Sequence, residues 1–173
     1  MIARLDIKLS EVQPLVQRRV EVPLAVRLDK LHTIFQAIMG WENAHLYAFW
    51  RGDVYQSTAY IPPDSPDETL DGDFLLATEI TLAEYMAQIP TRTFVYTYDF
   101  GDDWHHAVRV AVTDRKITAT YPRLVSAVGR CPPEDIGGPS GYDGYLEAHE
   151  VDPKEVDIAA LQDRLSRLFP FSL

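Results

Sequence analysis

Two runs of alternating residues meet at a tight turn, and this pairing most narrows the folds open to the chain. Phe94, Tyr96, Tyr98 and Phe100 alternate with Val95, Thr97 and Asp99. Beyond Gly101-Asp102-Asp103, His106, Val108, Val110 and Val112 alternate with His105, Ala107, Arg109 and Ala111. A period of two is the side-chain period of a strand with one buried face. Gly and Asp supply the unusual backbone angles and local amide acceptors of a turn. The pair predicts a hairpin, and a hairpin needs further strands or helices to cover its apolar face.

The rest of the chain supplies them. Leu5, Ile7 and Leu9 alternate with Asp6 and Lys8, and Val20-Glu21-Val22 alternates again before Pro23, which predicts a first hairpin. Leu28, Leu31, Ile34, Phe35, Ile38 and Met39 recur at helical spacing and end at Gly40. Residues 45–51 and 54–60 are aromatic-rich and flank Gly52-Asp53, which predicts strands joined by a two-residue turn. Residues 61–73 read as an exposed loop. Thr81-Leu82-Ala83-Glu84 is a capping box opening a short helix toward Ile89 and Pro90. Residues 117–121 add a strand, and 126–141 form an irregular Pro/Gly-rich loop. Two helices follow, the first capped around Ser140-Gly141-Tyr142-Asp143 and the second starting at Asp152-Pro153-Lys154-Glu155. The fold class is α+β: a mixed or antiparallel sheet with helices packed on one face. Its β-β-α-β-β-α-β-β core opens like a β-grasp, with added C-terminal helices. One domain spans 1–173, with its core at about 3–125 and the loop and terminal helices at 126–173.

Charge and cysteine content limit the partners. Sixteen Lys and Arg face 26 Asp and Glu, a net charge of −10, which disfavours a polyphosphate ligand. Asp64, Asp67, Glu68, Asp71 and Asp73 gather in one loop. The first thirty residues are mildly basic around Arg18 and Arg19; a solvated strand face accounts for these, and an accessory DNA-binding surface is the alternative. Cys131 is the sole cysteine, so no internal disulfide framework exists and a reducing compartment is expected. No run of about 20 apolar residues occurs, and charges interrupt the N-terminus, so a cytoplasmic protein without membrane contact is expected.

Three segments carry candidate chemistry. The hairpin tip from Asp99 to His106 gathers three carboxylates, Asp99, Asp102 and Asp103, with His105 and His106, residue types that ligate divalent cations or move protons. Turn chemistry accounts for the same aspartates, and strand alternation sends His105 and His106 to opposite faces. The second segment runs Cys131-Pro132-Pro133-Glu134-Asp135-Ile136-Gly137-Gly138. Its neighbouring carboxylates oppose thiolate formation at Cys131, so a buried structural cysteine is expected, and its glycines match no phosphate loop. The third is Gly40-Trp41 through His45, where His45 starts a strand and can approach the hairpin tip. A site combining Asp102, Asp103, Glu134, His45 and one of His105 or His106 requires the tip and the Cys131 loop to meet in space.

In order and spacing these segments resemble the plasmid pRiA4b Orf3-like family. The resemblance rests on Phe35-Gln36-Ala37-Ile38-Met39-Gly40-Trp41, His45-Leu46, Tyr98-Asp99-Phe100-Gly101-Asp102-Asp103-Trp104-x-His106 and Cys131 through Gly138. It covers about residues 3–153. It implies a compact α+β domain associated with plasmids or mobile elements, and it implies neither a reaction nor a cofactor. A transposon-resolvase label attached to some members gains nothing from this chain, which lacks a serine nucleophile supported by arginines. Relatives often carry His-x-His where this chain has His45-Leu46-Tyr47, which removes one imidazole from any metal site. The leading expectation is a non-enzymatic domain acting through protein contacts, with loops 64–73 and 126–141 as contact surfaces. Metal binding or metal-assisted hydrolysis near the hairpin tip is the alternative, with a divalent metal as the one cofactor these residues suit.

Overall fold

The computed structural model describes residues 1–65, 73–113 and 121–170. The period-two segments form one sheet of eight strands: β1 (Ile2–Leu9), β2 (Gln17–Pro23), β3 (Tyr47–Trp50), β4 (Ala59–Ile61), β5 (Phe74–Leu76), β6 (Thr93–Tyr98), β7 (Trp104–Thr113) and β8 (Arg123–Val128). Their order is β5-β4-β3-β6-β7-β1-β2-β8, antiparallel throughout except between β4 and β5. The helices are α1 (Leu28–Met39), α2 (Leu82–Ala87), α3 (Gly138–His149) and α4 (Ile158–Leu168). The architecture is α+β with a mixed sheet. Among the described residues no helix is long and apolar enough to cross a membrane.

Alternation decides the faces. Tyr47 and Phe49 of β3 join Tyr96 and Tyr98 of β6 and Trp104 and Val108 of β7 in one core, which also takes in residues of all four helices. The intervening Ala48 and Trp50 point the other way, into a small cluster with Ala59 and Ile61. The core is strongly aromatic. Phe35 meets Tyr96 edge-on at 5.0 Å between ring centres, and Trp41 stacks on Tyr98 at 5.0 Å. Such pairs contribute about 0.5–1.5 kcal/mol each beyond the area they bury. α1 ends where expected: Gly40 is left-handed and its N–H reaches the Gln36 carbonyl at 3.0 Å. The Thr81–Glu84 capping box opens α2.

Arg18 is the first correction. It does not lie on a solvated face but is 1% exposed. A bulge between Arg19 and Val20 of β2 sits beside it. Its guanidinium donates to the carbonyls of Ile38 (2.8 Å), Gln17 (2.9 Å), Val128 (2.8 Å) and Gly129 (3.1 Å). One side chain thus terminates α1, fastens the end of β8 and fixes where the chain leaves the sheet.

Other boundaries differ from the expectations for local reasons. Gly52-Asp53 is not a two-residue turn. Pairing stops at Trp50–Ala59, and the Ser57 hydroxyl holds a longer connection by accepting from Gly52 N–H and donating to the Asp53 carbonyl. Residues 126–128 belong to β8 and are not loop. α3 begins at Gly138, ahead of Ser140. The helix expected at Asp152 starts only at Ile158, capped by Asp157, whose carboxylate accepts from Ala160 N–H at 2.9 Å. Arg130 explains the delay. Its backbone N–H and Nε take the carbonyls of Pro153 and Asp152, which a helix starting there would use. Residues 117–120 of the expected strand and most of the acidic loop 64–73 lie outside the described residues, and Tyr121 precedes β8 without joining a strand.

Two histidines are buried in the core, and both are held neutral. His106 is fully buried, and its Nδ1 donates to the Tyr96 carbonyl at 3.2 Å. Burial pushes it down to about 3. His32 closes a polar circuit. Gln36 donates to the Tyr96 hydroxyl, which donates to His32 Nδ1 at 2.7 Å. His32 Nε2 donates to the Asn43 side-chain carbonyl at 2.6 Å, and Asn43 N–H returns to Gln36 Oε1 at 3.0 Å. Burial pushes His32 down to about 4.

Two outcomes follow. Replacing Arg18 by Met leaves several buried carbonyls without a donor, at roughly 1–3 kcal/mol for each left unsatisfied. Urea unfolding should show a loss above about 3 kcal/mol, whereas loss of a solvated arginine would cost almost nothing. The two histidines bind protons in the unfolded chain below its usual value near 6.5 but not in the folded one. Stability should therefore fall as pH drops from about 6.5 toward 4, each histidine contributing up to about 1.4 kcal/mol per pH unit. Between pH 6 and 5, His106→Gln should show a shallower slope than the parent in urea titrations.

Candidate functional site

The hairpin tip, the α1–β3 connection and the Cys131 loop converge. β6 ends at Tyr98, and the next residue, Asp99, turns left-handed (φ 58°) and leaves the strand's alternation. Its N–H bonds the Leu46 carbonyl at 2.9 Å, which ties the tip to the start of β3. Its Oδ1 accepts the N–H groups of Gly101 (2.9 Å) and Asp102 (3.3 Å), an Asx turn that builds the tip. Oδ1 is thereby occupied, and Oδ2 is left directed at His45.

The Cys131 loop is clamped over this junction. Trp41 Nε1 donates to the Pro132 carbonyl at 2.8 Å. Glu134 accepts Glu42 N–H at 2.8 Å through one oxygen and the Tyr98 hydroxyl through the other. The same hydroxyl accepts from Ala44 N–H (2.9 Å) and His45 N–H (3.3 Å). Burial, reinforced by Glu134, pushes the Tyr98 phenol well above its usual range, so it stays a neutral donor. Asp102 accepts Gly137 N–H at 3.2 Å. Gly138 lies so close that a Cβ would stand 2.2 Å from the Asp102 carbonyl oxygen, and its φ is +69°. Only glycine meets both conditions.

This clamping brings His45, Asp99 and Asp135 together, with one donor atom from each within 4.8 Å of the others. His45 Nε2 is 2.8 Å from Asp135 Oδ1 and 3.5 Å from Asp99 Oδ2. Nε2 is closed to solvent, yet it makes no hydrogen bond of acceptable angle. The proximity is thus a close contact without a directed bond. Asp99 is 7% exposed, while the Asp135 side chain reaches solvent. Asp135 is also left-handed, at φ 59°. His45 further lines a cleft of about 620 Å³ with Asp29, His32, Asn43 and Pro62.

The candidates named from sequence separate. His45 lies in the cluster. Glu134 and Asp102 are beside it, but their carboxylates fasten the loop. Asp103 accepts the Tyr55 hydroxyl on the outer side of the tip. His105 meets the Thr97 hydroxyl at 2.9 Å on the helix-free face, and His106 is in the core. His105 and His106 lie on opposite faces, as alternation requires, and neither joins His45. Cys131 packs against the core with its thiol pushed up to about 12 by burial, which the nearby Arg18 only partly offsets. Asp99, one of the three tip carboxylates, and Asp135 are not in the ligand set expected from sequence. Asp99 shows its role only once the Asx turn leaves one oxygen free, and Asp135 only once Glu134 is committed to Tyr98.

A curated relative, the uncharacterized protein y4hQ of Sinorhizobium fredii, is 40% identical over 147 residues, covering 85% of this chain and 72% of that protein. A crystal structure of a protein of unknown function, MM3350 from Methanosarcina mazei Go1, superposes with a TM-score of 0.75 at 26% identity, over 92% of this chain and 95% of the other. The match to the family model runs over residues 1–172, so the segments that converge on His45 are contained in it, and the chain belongs to the plasmid pRiA4b ORF-3-like protein family.

Proposed function

We propose that this domain binds a divalent transition-metal ion through His45, Asp99 and Asp135. One observation carries the reading: a solvent-shielded imidazole nitrogen without a directed hydrogen bond faces oxygens of two carboxylates at 2.8 and 3.5 Å. With metal–ligand bonds of about 2.1 Å, donors on adjacent coordination positions stand roughly 3.0–3.4 Å apart. The observed spacings bracket that range. Mixed nitrogen and oxygen donors suit zinc, manganese or iron better than calcium. The Asx turn and the Glu134–Tyr98 bond supply the outer support that ligands need to hold their orientation. Three protein donors leave positions for water or a substrate oxygen, the donor count of a reactive site and not of a closed structural one.

The other readings have less beneath them. Contact through loop 126–141 meets a segment already folded onto the hairpin. The DNA-binding reading began from Arg18 and Arg19, but Arg18 is buried and Arg19 pairs with Asp6 at 2.5 Å.

Metal analysis and calorimetry on purified protein test the proposal. About one equivalent of zinc or manganese should bind. At 100 times the dissociation constant the ion should stabilise the fold by about 2.7 kcal/mol, a rise of roughly 5–10 °C in Tm. Asp99→Asn keeps the Asx turn and should abolish stoichiometric binding while leaving apo stability nearly unchanged. Absence of both binding and a thermal shift with zinc, manganese and iron would sink the proposal. Gly138→Ala should cost roughly 2 kcal/mol of stability and weaken metal binding about 10–100-fold by displacing the loop that carries Asp135.

A further inference from the structure

The sheet face opposite the helices carries a charge unlike that of the rest of the molecule. In register, Thr93 of β6, Arg109 of β7, Asp6 of β1 and Arg19 of β2 form one cross-strand row. Val95, Ala107, Lys8 and Gln17 form the next. Arg51, just past β3, overhangs one side. Together these residues line an open cleft of about 680 Å³ with four cations and one carboxylate. Lys8, Arg51 and Arg109 make no ion pair among the described residues, in a chain whose net charge is −10. The floor is small or flat, with Ala107 and Thr93 exposed to solvent.

We infer that this face docks an acidic, extended polypeptide segment of a partner protein. Charge complementarity gives the sign of the occupant. The face itself shows the carboxylate recognition: Asp6 sits in register between Arg109 and Arg19, and Arg19 Nε donates to it at 2.5 Å. Arginine's planar fork is suited to carboxylates, and the unmatched cations extend that pattern outward. A single-stranded nucleic acid would draw on aromatic rings for base stacking. The one aromatic residue lining this cleft, Phe94, is 5% exposed and belongs to the core.

Fluorescence anisotropy with a labelled octaglutamate peptide, against a labelled oligothymidylate of equal charge, tests the inference on the intact chain. The peptide should bind saturably at low salt and weaken toward physiological ionic strength. The Lys8→Glu/Arg109→Glu pair should weaken it at least ten-fold, and the milder Lys8→Gln/Arg109→Gln pair several-fold, with near-UV circular dichroism unchanged. Lys154→Glu, remote from the face, should leave binding as it is. Three results would overturn the inference: no peptide binding at low salt, equal binding by the charge-changed variants, or tighter binding of the oligothymidylate.

Discussion

The hydroxyl of Tyr98 is the point on which the site depends. It accepts the N–H groups of Ala44 and His45 and donates to Glu134, so three segments distant in sequence share one oxygen. Tyr98 can do this because its ring lies in the core against Trp41 while its hydroxyl emerges at the rim. A phenylalanine would fill the same volume and leave two amides and a carboxylate without their common partner. Arg18 acts similarly from below, setting where the chain leaves β8 and so where the Cys131 loop begins its return.

The histidines show how burial sorts one residue type into different tasks. His32 and His106 are enclosed, given one defined tautomer and kept neutral. His45 lies at the edge, where carboxylates replace carbonyls as neighbours. The imidazole nearest two carboxylates is the one suited to a cation, and the two in the core act as hydrogen-bonded packing groups.

Much of the fold was legible because local chemistry and tertiary packing agree. The β6–β7 hairpin, α1 and the Thr81 capping box all announce themselves through periodicity or caps, and the split of His105 from His106 follows from alternation alone. Where long-range contacts overrule local ones, the reading fails. Asp152-Pro153 has the chemistry of a helix start, but Arg130 claims its carbonyls. β5 is three residues long and pairs in parallel with β4, a partnership that no local pattern encodes. In β8, Val125 and Val128 are exposed and Leu124 is buried, so its pattern does not alternate cleanly. The site was half legible. A site built on His45 requires the tip and the Cys131 loop to meet; they do, but around Asp99 and Asp135 and not around Asp102, Asp103 and Glu134. The free oxygen of Asp99 emerges only after every other hydrogen bond is assigned.

The contact between Gly138 and Asp102 bears on when the site comes into being. Tyr98 and Glu134 are separated by 36 residues, and Ala44 and Tyr98 by 54. Closing loops of these two sizes costs nearly the same chain entropy, so separation alone does not order them. His45 and Asp99 come together as β3 pairs with β6, whereas Asp135 joins only when the loop settles onto the hairpin through that glycine. Two ligands thus come with the sheet and one with the loop, so an ion held there would bind the loop to the sheet.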